Sequence, residues 1–202
     1  FEWNNYSKES YLYDENNNYL NCSSFYQSED GNRFSVRKDQ FAAFHFLMLD
    51  DLGTKIPFER LGDFEPSWII ETSPGNFQVG IILTEPITNS LEAEALLKAL
   101  IDAGLCDPGS SGIARWARLP VGINGKPKYV DESGRSFRCR LVKWRPERRY
   151  TPKEIIAGLH LELTPAKPPK IATDIPRDRG DEGDEVFIPR AEENPVISAL
   201  KS

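Results

Sequence analysis

The residues best suited to chemistry are Asp50 and Asp51, which directly follow the apolar stretch AAFHFLML at residues 42–49. Strand residues alternate between two faces, so carboxylates at a strand end need water, a cation or a basic partner. Carboxylate oxygens suit Mg²⁺ or Mn²⁺, and two such ions can clamp the attacking and leaving oxygens of a phosphoryl transfer. The alternative interpretation is a solvated turn, since aspartate is common where turns begin.

Further polar candidates lie at two predicted turns. Asp107, in the sequence CDPG, is a candidate third ligand, although Asp-Pro-Gly is also ordinary turn chemistry. The sequence SPGNFQ supplies Ser73, Asn76 and Gln78, whose polar groups could approach a nucleotide. A plain connection between two strands is the alternative there.

The stretch RWARLPVGINGK at residues 115–126 combines Arg115, Arg118 and Lys126 with a tryptophan. Guanidinium groups bind phosphate through two parallel hydrogen bonds, and lysine adds a point charge. The stretch therefore predicts an anion site. Trp116 is predicted to be a core residue, with stacking on a base as the alternative.

The charge of the chain is unevenly distributed. The net charge of −6 and pI of about 5.1 argue, taken alone, against nucleic-acid binding. Residues 113–153, however, contain 12 Lys and Arg against 3 Asp and Glu, a net charge of +9. Residues 1–30 and 174–193 each carry −5. A basic block of this kind can hold a polyanion or a triphosphate, or it can be an ordinary solvated surface.

Periodicity and turn chemistry predict the elements that must position these residues. The turn at residues 73–76 has Pro and Gly at its centre, which is typical of a type II turn and predicts a β-hairpin. The predicted strands are 19–26, 42–49, 68–72, 77–84 and 137–144; the predicted helices are 89–103, capped by Asn89, and 151–160, capped by Thr151; a further turn is predicted at 31–32.

This alternation predicts an α+β domain at residues 1–163, followed by a charged, proline-rich linker and the start of a truncated region at 164–202. No apolar run is long enough to cross a membrane, so no membrane partner is expected. The three cysteines have no metal spacing and do not suggest a disulfide framework, which fits a reducing cytoplasm. Only two histidines are present, so a site built on paired histidines is not expected.

Taken in order, four segments resemble the archaeo-eukaryotic primase superfamily, in particular its RepB-type and primase–polymerase branch from plasmids and bacteriophages. They are LDDLGTK at 49–55, IETSPGNFQ at 70–78, DPG at 107–109 and RLPVGINGK at 118–126. The resemblance covers residues 40–128. It departs from the family pattern in two places: the acids of the first motif are adjacent, and the second motif reads Asn76-x-Gln78 where the superfamily has Ser-x-His.

The resemblance implies an RRM-like mixed or antiparallel sheet with packed helices, and template copying from nucleoside triphosphates. It implies that Asp50, Asp51 and Asp107 hold Mg²⁺ or Mn²⁺. The residues expected to bind nucleotide or template are Ser73, Asn76, Gln78, Arg115, Arg118, Asn124 and Lys126.

The partners expected from the resemblance are a single-stranded DNA template and nucleoside triphosphates, with a possible helicase region following in the full-length protein. Two other functions stay open. One is a replication initiator or single-stranded-DNA-binding module that kept the fold without catalysis. The other is a different nucleotidyltransferase, or a nuclease, that uses the same acids.

Overall fold

The structure is a computed structural model that describes residues 12–27, 36–107 and 112–163. Within these residues no helix is long and apolar enough to cross a membrane. The strands are β1 Tyr19–Asn21, β2 Ser23–Phe25, β3 Phe41–Leu52, β4 Trp68–Ser73, β5 Asn76–Ile87, β6 Trp116–Arg118, β7 Ile123–Asn124, β8 Phe137–Arg138, β9 Arg140–Trp144 and β10 Arg149–Tyr150, and the α-helices are α1 Ser90–Asp102 and α2 Pro152–Gly158.

A six-stranded sheet forms the centre of the fold, with strand order β2-β3-β5-β4-β9. Neighbouring strands in this order are antiparallel. The short strand β10 pairs in parallel with β5, along a part of β5 that lies beyond the residues paired with β4. Two small antiparallel pairs, β1 with β6 and β7 with β8, complete the strand pairing among the described residues. The predicted α+β fold is confirmed. In the mixed sheet, the end of β3 and the end of β4 both lie beside the start of β5.

The predicted hairpin is confirmed. β4 and β5 pair in antiparallel register from Trp68 opposite Gly80 to Ser73 opposite Asn76. Gly75 has a φ of 70°, the left-handed conformation that a type II turn requires at its third position. Local turn chemistry therefore determines where the chain reverses beside the site.

Both predicted helices are confirmed, slightly shorter than expected. The Asn89 side chain accepts a hydrogen bond from the Leu91 N–H at 3.0 Å, which caps α1. The Thr151 side chain accepts from the Glu154 N–H, and the Glu154 carboxylate accepts from the Thr151 N–H, which is a complete capping box.

The apolar faces of the helices and the central strands share one core. Leu96 and Leu100 of α1, Ile155 of α2 and Leu47 and Ile81 of the sheet are all buried in it. Covering the sheet in this way anchors β3, whose last residues carry the paired aspartates.

Trp68 lies flat across β5, opposite Gly80. A Cβ added at Gly80 would lie 1.8 Å from Cε2 of the Trp68 ring. We expect Gly80→Ala to lower the free energy of unfolding by about 3 kcal/mol, because the buried ring has no space to move without repacking. Urea denaturation measures the effect.

The double variant Gly80→Ala with Trp68→Leu is the control for this prediction. Removing the ring removes the clash, so the double variant is expected to be no less stable than Trp68→Leu alone. If the double variant lost as much stability as the two single variants together, the steric explanation would be wrong.

Two predicted strands are wrong in detail. Residues 19–26 form two strands, β1 and β2, which belong to different sheets. Residues 137–144 likewise divide into β8 and β9. The apolar residues of β9 are exposed, since Leu141, Val142 and Trp144 are 46%, 57% and 58% exposed. β9 pairs only with β4 among the described residues, so it is an edge strand.

The predicted turn at residues 31–32 and the predicted linker and truncated region at 164–202 lie outside the described residues. The domain boundary at residues 163/164 stays a prediction.

Candidate active site

Asp51 and Asp107 meet at a single ammonium group. The Lys55 Nζ lies 2.7 Å from the Asp51 Oδ2 and 2.7 Å from the Asp107 Oδ2. The two carboxylate oxygens therefore lie at most twice that distance apart. Hydrogen bonds to Asp107 and to Asp51 raise the pKa of Lys55 above its usual value, which keeps the ammonium charged.

The turn after β3 brings Lys55 back to Asp51. The Asp51 carbonyl accepts hydrogen bonds from the Lys55 and Ile56 N–H groups, both at 3.1 Å, and Asp51 itself has a φ of 62°. Aspartate tolerates this left-handed conformation better than most residues. The Asp50 carboxylate accepts from the Asp51 N–H at 2.9 Å, so Asp50 supports the local backbone. The structure thus brings Asp51, rather than Asp50, to Asp107.

A chain of hydrogen-bonded amide and hydroxyl groups joins three of the four motif segments. The Thr54 hydroxyl donates to the Asn76 Oδ1, and the Asn76 Nδ2 donates to the Thr72 hydroxyl at 3.2 Å. The Asn124 Nδ2 then donates to the Thr72 carbonyl at 2.7 Å. Arg118 completes the chain by donating from Nη2 to the Asn124 Oδ1 at 3.0 Å. These contacts fix the hairpin tip between the acid pair and the 118–126 segment.

Arg118 is a buried cation with several partners, only 7% exposed. Besides Asn124, its Nη1 donates to the Asn17 Oδ1 at 2.9 Å and to the Ile123 carbonyl at 3.0 Å. Its guanidinium lies 4.8 Å from the centroid of the Tyr19 ring, and its backbone N–H donates to the Gln78 Oε1 at 2.8 Å. These contacts direct the guanidinium into the protein, where it links β1 and β7, and the Arg118 backbone N–H adds a contact with β5.

Arg115 has one partner in β3 and one beside Asp107. Its Nη1 donates to the Met48 carbonyl at 2.9 Å and to the Cys106 Sγ at 3.2 Å. Cys106 immediately precedes Asp107, so this contact positions Asp107 against β3. The prediction that the neighbouring Trp116 is a core residue is wrong, because Trp116 is 50% exposed.

Much of the basic block at residues 113–153 is paired with carboxylates. Four of the partner acids lie far away in sequence, in the N-terminal segment and around β4, and their negative charges offset the block. The pairs are Arg135 with Asp131, Arg138 with Asp14 and Glu15, Arg140 with Glu71, and Lys143 and Arg148 with Glu65. The surface potential is therefore less positive than the composition of the block suggests.

Lys126 and Lys128 are exposed beside the hairpin tip. A hydrogen bond with Ser73 is the main cause that lowers the pKa of Tyr129, and both lysines add to the effect. The Lys128 Nζ lies 4.7 Å from the centroid of the Tyr129 ring. Ser73 itself is buried at the turn, so Tyr129 links the two exposed lysines to the hairpin.

The acid pair fits a hard divalent cation in its donor chemistry. Two carboxylates already converge on one positive charge, and carboxylate oxygens are what Mg²⁺ and Mn²⁺ bind. No group of three or more His, Cys, Asp or Glu side chains is arranged to hold a metal within residues 12–27, 36–107 and 112–163. The protein groups that could hold an ion here are therefore the two carboxylates, in place of the Lys55 ammonium.

Sequence reasoning missed Lys55, Thr54, Thr72 and Tyr129. The spacing of Asp51 and Lys55, four residues apart, could have suggested an ion pair. Nothing in the sequence pattern indicates that Thr54 contacts Asn76, or that Tyr129 contacts Ser73, because these contacts depend on how separate loops meet.

The chain belongs to the RepB DNA-primase N-terminal domain family, whose pattern it matches over residues 18–164. The resemblance to RepB-type primases predicted from the four motifs is thereby confirmed. The family is one of DNA primases, which are nucleotidyltransferases that act in DNA replication.

Comparison with individual proteins gives three further similarities. The chain is 29% identical over 121 residues to a DNA primase from Acidithiobacillus ferrooxidans, an alignment that covers 58% of this chain and 34% of that protein. The chain thus spans about a third of the length of this curated relative. The archaeo-eukaryotic primase domain of the cyanophage S-2L primase-polymerase has the same fold, with a TM-score of 0.51, 16% identity and coverage of 71% of this chain and 70% of that one. The catalytic domain of the primase RepB′, solved in complex with initiator DNA, aligns with a TM-score of 0.43, 20% identity and coverage of 60% of this chain and 59% of that one.

Proposed function

We propose that this chain is the catalytic domain of a primase–polymerase that copies a single-stranded DNA template from nucleoside triphosphates during plasmid or phage replication. The observation that supports it best is the convergence of Asp51 and Asp107 on one cation beside the hairpin tip. Synthesis of this kind needs such a pair, because charge develops on both the attacking and the leaving oxygen.

In this proposal Asp51 and Asp107 are the principal metal ligands. Asp50, the first acid of the motif, lies next to Asp51 and orients its backbone by accepting a hydrogen bond from the Asp51 N–H. Divalent ions bound there would lower the pKa of the attacking 3′-hydroxyl and neutralise the triphosphate and the departing pyrophosphate. The protein supplies a fixed acid pair whose turn is held by backbone hydrogen bonds.

We divide the predicted nucleotide-binding residues by their exposure. Ser73, Asn76, Gln78, Arg118 and Asn124 are buried and bonded to one another or to neighbouring loops. These five residues shape the floor of the site. We propose that exposed basic side chains make the direct contacts with the phosphates of the nucleotide or template.

Lys126 is the member of the predicted set best placed for that contact. It lies beside the hairpin tip and is exposed. Lys128 is a second, adjacent cation. Arg115 instead positions Asp107 through its contacts with β3 and Cys106.

The template strand is proposed to run past exposed aromatic side chains. Trp116 directly follows Arg115, and Tyr19 lies on the same face of the β1–β6 pair, since Tyr19 opposes Arg118 and Asn21 opposes Trp116. Bases stack on such side chains without regard to sequence, with about 1–3 kcal/mol per base. Trp144 on the edge strand β9, next to the exposed Arg145, extends the same kind of surface.

A non-catalytic initiator or single-stranded-DNA-binding module is the second candidate function. Gln78 stands where the superfamily motif has a histidine, and its Oε1 accepts from the Arg118 N–H. A glutamine side chain cannot become cationic, so it contributes no charge to triphosphate binding.

Incubation with a single-stranded template, labelled deoxynucleoside triphosphates and Mn²⁺ tests the proposal. We expect products whose sequence follows the template and which disappear when the ion is chelated. Binding of the template without any extension would favour the initiator module. Template-independent products, or strand cleavage without triphosphates, would favour another nucleotidyltransferase or a nuclease.

A further inference from the structure

Lys55 holds the position between the two acids that the proposed function assigns to a metal ion. Its Nζ is 2.7 Å from a carboxylate oxygen of Asp51 and 2.7 Å from one of Asp107. An ammonium and a divalent ion bound to these same oxygens would repel each other at close range, so the two cations compete for them. We therefore expect one of them to leave when the other binds.

The side chain of Lys55 can leave without disturbing the turn. The turn is held by backbone groups: the Asp51 carbonyl accepts from the Lys55 and Ile56 N–H groups, and the Gly53 N–H donates to the Ile56 carbonyl at 2.7 Å. The Lys55 side chain is 65% exposed, against 24% for Asp51 and 31% for Asp107. A lysine has a flexible four-carbon stem and three rotatable donors, so its ammonium can be directed elsewhere at little cost.

We propose that Lys55 is an exchangeable internal cation that couples metal binding to nucleotide binding. Without ligands, its ammonium offsets the charge of Asp51 and Asp107. When a divalent ion takes the carboxylates, the ammonium is released toward the phosphates of the incoming triphosphate. This inference rests on the proposed function, because it takes the ion and the triphosphate as the ligands of the site.

The charges favour loading both ligands together. The acid pair carries two negative charges, which one ammonium only partly neutralises. The ion alone must displace Lys55 and leave that ammonium without a carboxylate partner. The ion together with a triphosphate provides the displaced ammonium with new anionic partners, so each ligand increases the affinity of the site for the other.

The test compares Mn²⁺ binding by the whole chain and by its Lys55→Met variant, with and without a non-hydrolysable deoxynucleoside triphosphate. Methionine keeps the length and removes the charge. For the wild type we expect the nucleotide to raise the Mn²⁺ affinity roughly tenfold or more, within the usual range for coupled sites. For Lys55→Met we expect Mn²⁺ alone to bind roughly tenfold more tightly than to the wild type, with most of the coupling lost. Electron paramagnetic resonance of free Mn²⁺ measures both.

Lys98→Met is the matched control, because Lys98 pairs with Asp102 on the surface of α1. It is expected to leave Mn²⁺ binding and the coupling unchanged. An unchanged or lower Mn²⁺ affinity in Lys55→Met would overturn the proposal, since Lys55 would then be a fixed support of the acids. If Lys55→Met showed this unchanged or lower affinity while the wild type still synthesised primers, the role of Lys55 would be wrong but the proposed function would still be supported.

A measurement on the wild-type chain keeps the proposal testable if Lys55→Met does not fold. Acetylation of lysines, followed by mass spectrometry, reports how accessible each ammonium is. We expect Lys55 to react faster once Mn²⁺ is added and to be protected again when the triphosphate follows, with Lys98 unaffected. Constant reactivity of Lys55 under all three conditions would contradict the exchange. Tighter Mn²⁺ binding by Lys55→Met without any synthesis by the wild type would support the exchange and count against primase activity.

Discussion

Primer synthesis is expected to fall roughly a thousandfold when Asp107 is replaced by asparagine, and by a similar factor for Asp51→Asn. Both changes keep the shape of the side chain and remove the negative charge that holds a divalent ion. Since the two residues contact the same ammonium, both are expected to weaken Mn²⁺ binding as well. Extension of a labelled dinucleotide on a single-stranded template measures the loss, and thermal unfolding checks that the fold survives.

The neighbouring aspartates provide an internal comparison. Asp50 accepts a hydrogen bond from the Asp51 N–H, a role that asparagine can still fill through its carbonyl oxygen. Asp50→Asn is therefore expected to lose less activity than Asp51→Asn, and the double variant Asp50→Ala with Asp51→Ala is expected to lose all of it. Asp102→Asn, on the surface of α1, is the control and should retain wild-type activity. Full synthesis by Asp107→Asn would contradict the assignment of the metal ligands.

The second large effect is expected on stability. Arg118→Met is expected to lower the free energy of unfolding by about 3 kcal/mol, because it removes the three hydrogen bonds that this largely buried guanidinium donates. The acceptors of these bonds are the Asn17 and Asn124 side-chain oxygens and the Ile123 carbonyl. Denaturation by urea, followed by circular dichroism, measures the change.

Two further variants show whether stability depends on the planar shape of the guanidinium or only on its charge. Arg118→Lys keeps the charge but cannot reach several acceptors with a planar fork, so we expect it to recover only part of the stability. Arg145→Met changes an exposed arginine and is expected to alter stability by no more than about 0.5 kcal/mol. Equal stability of Arg118→Met and the wild type would mean that the Arg118 contacts do not hold the loops together.

The charge distribution shows how far composition alone can mislead. The block at residues 113–153 has a formal charge of +9, yet the acidic residues at positions 14, 15, 65 and 71 form salt bridges with several of its arginines and with one lysine. A sum over neighbouring residues cannot include partners that only folding brings near. Exposed lysines such as Lys126 and Lys128, and aromatic residues such as Trp116, are consequently better guides to a nucleic-acid surface than the sum itself.

Local features of this protein could be predicted from its sequence because their causes are local. The Pro74-Gly75 turn, the Asn89 cap and the Thr151 capping box each depend on residues within four positions of one another. The ordered motifs were enough to indicate the primase family and the acids worth testing.

Only the tertiary structure decided which of these residues meet. Lys55 and Asp107 are separated by 52 positions, and Arg118 and Asn17 by 101, so no periodicity or turn rule relates them. The same applies to Trp116, whose exposure depends on what the sheet leaves uncovered. A sequence determines local backbone preferences and apolar faces directly, whereas contacts between loops follow from how those faces pack together.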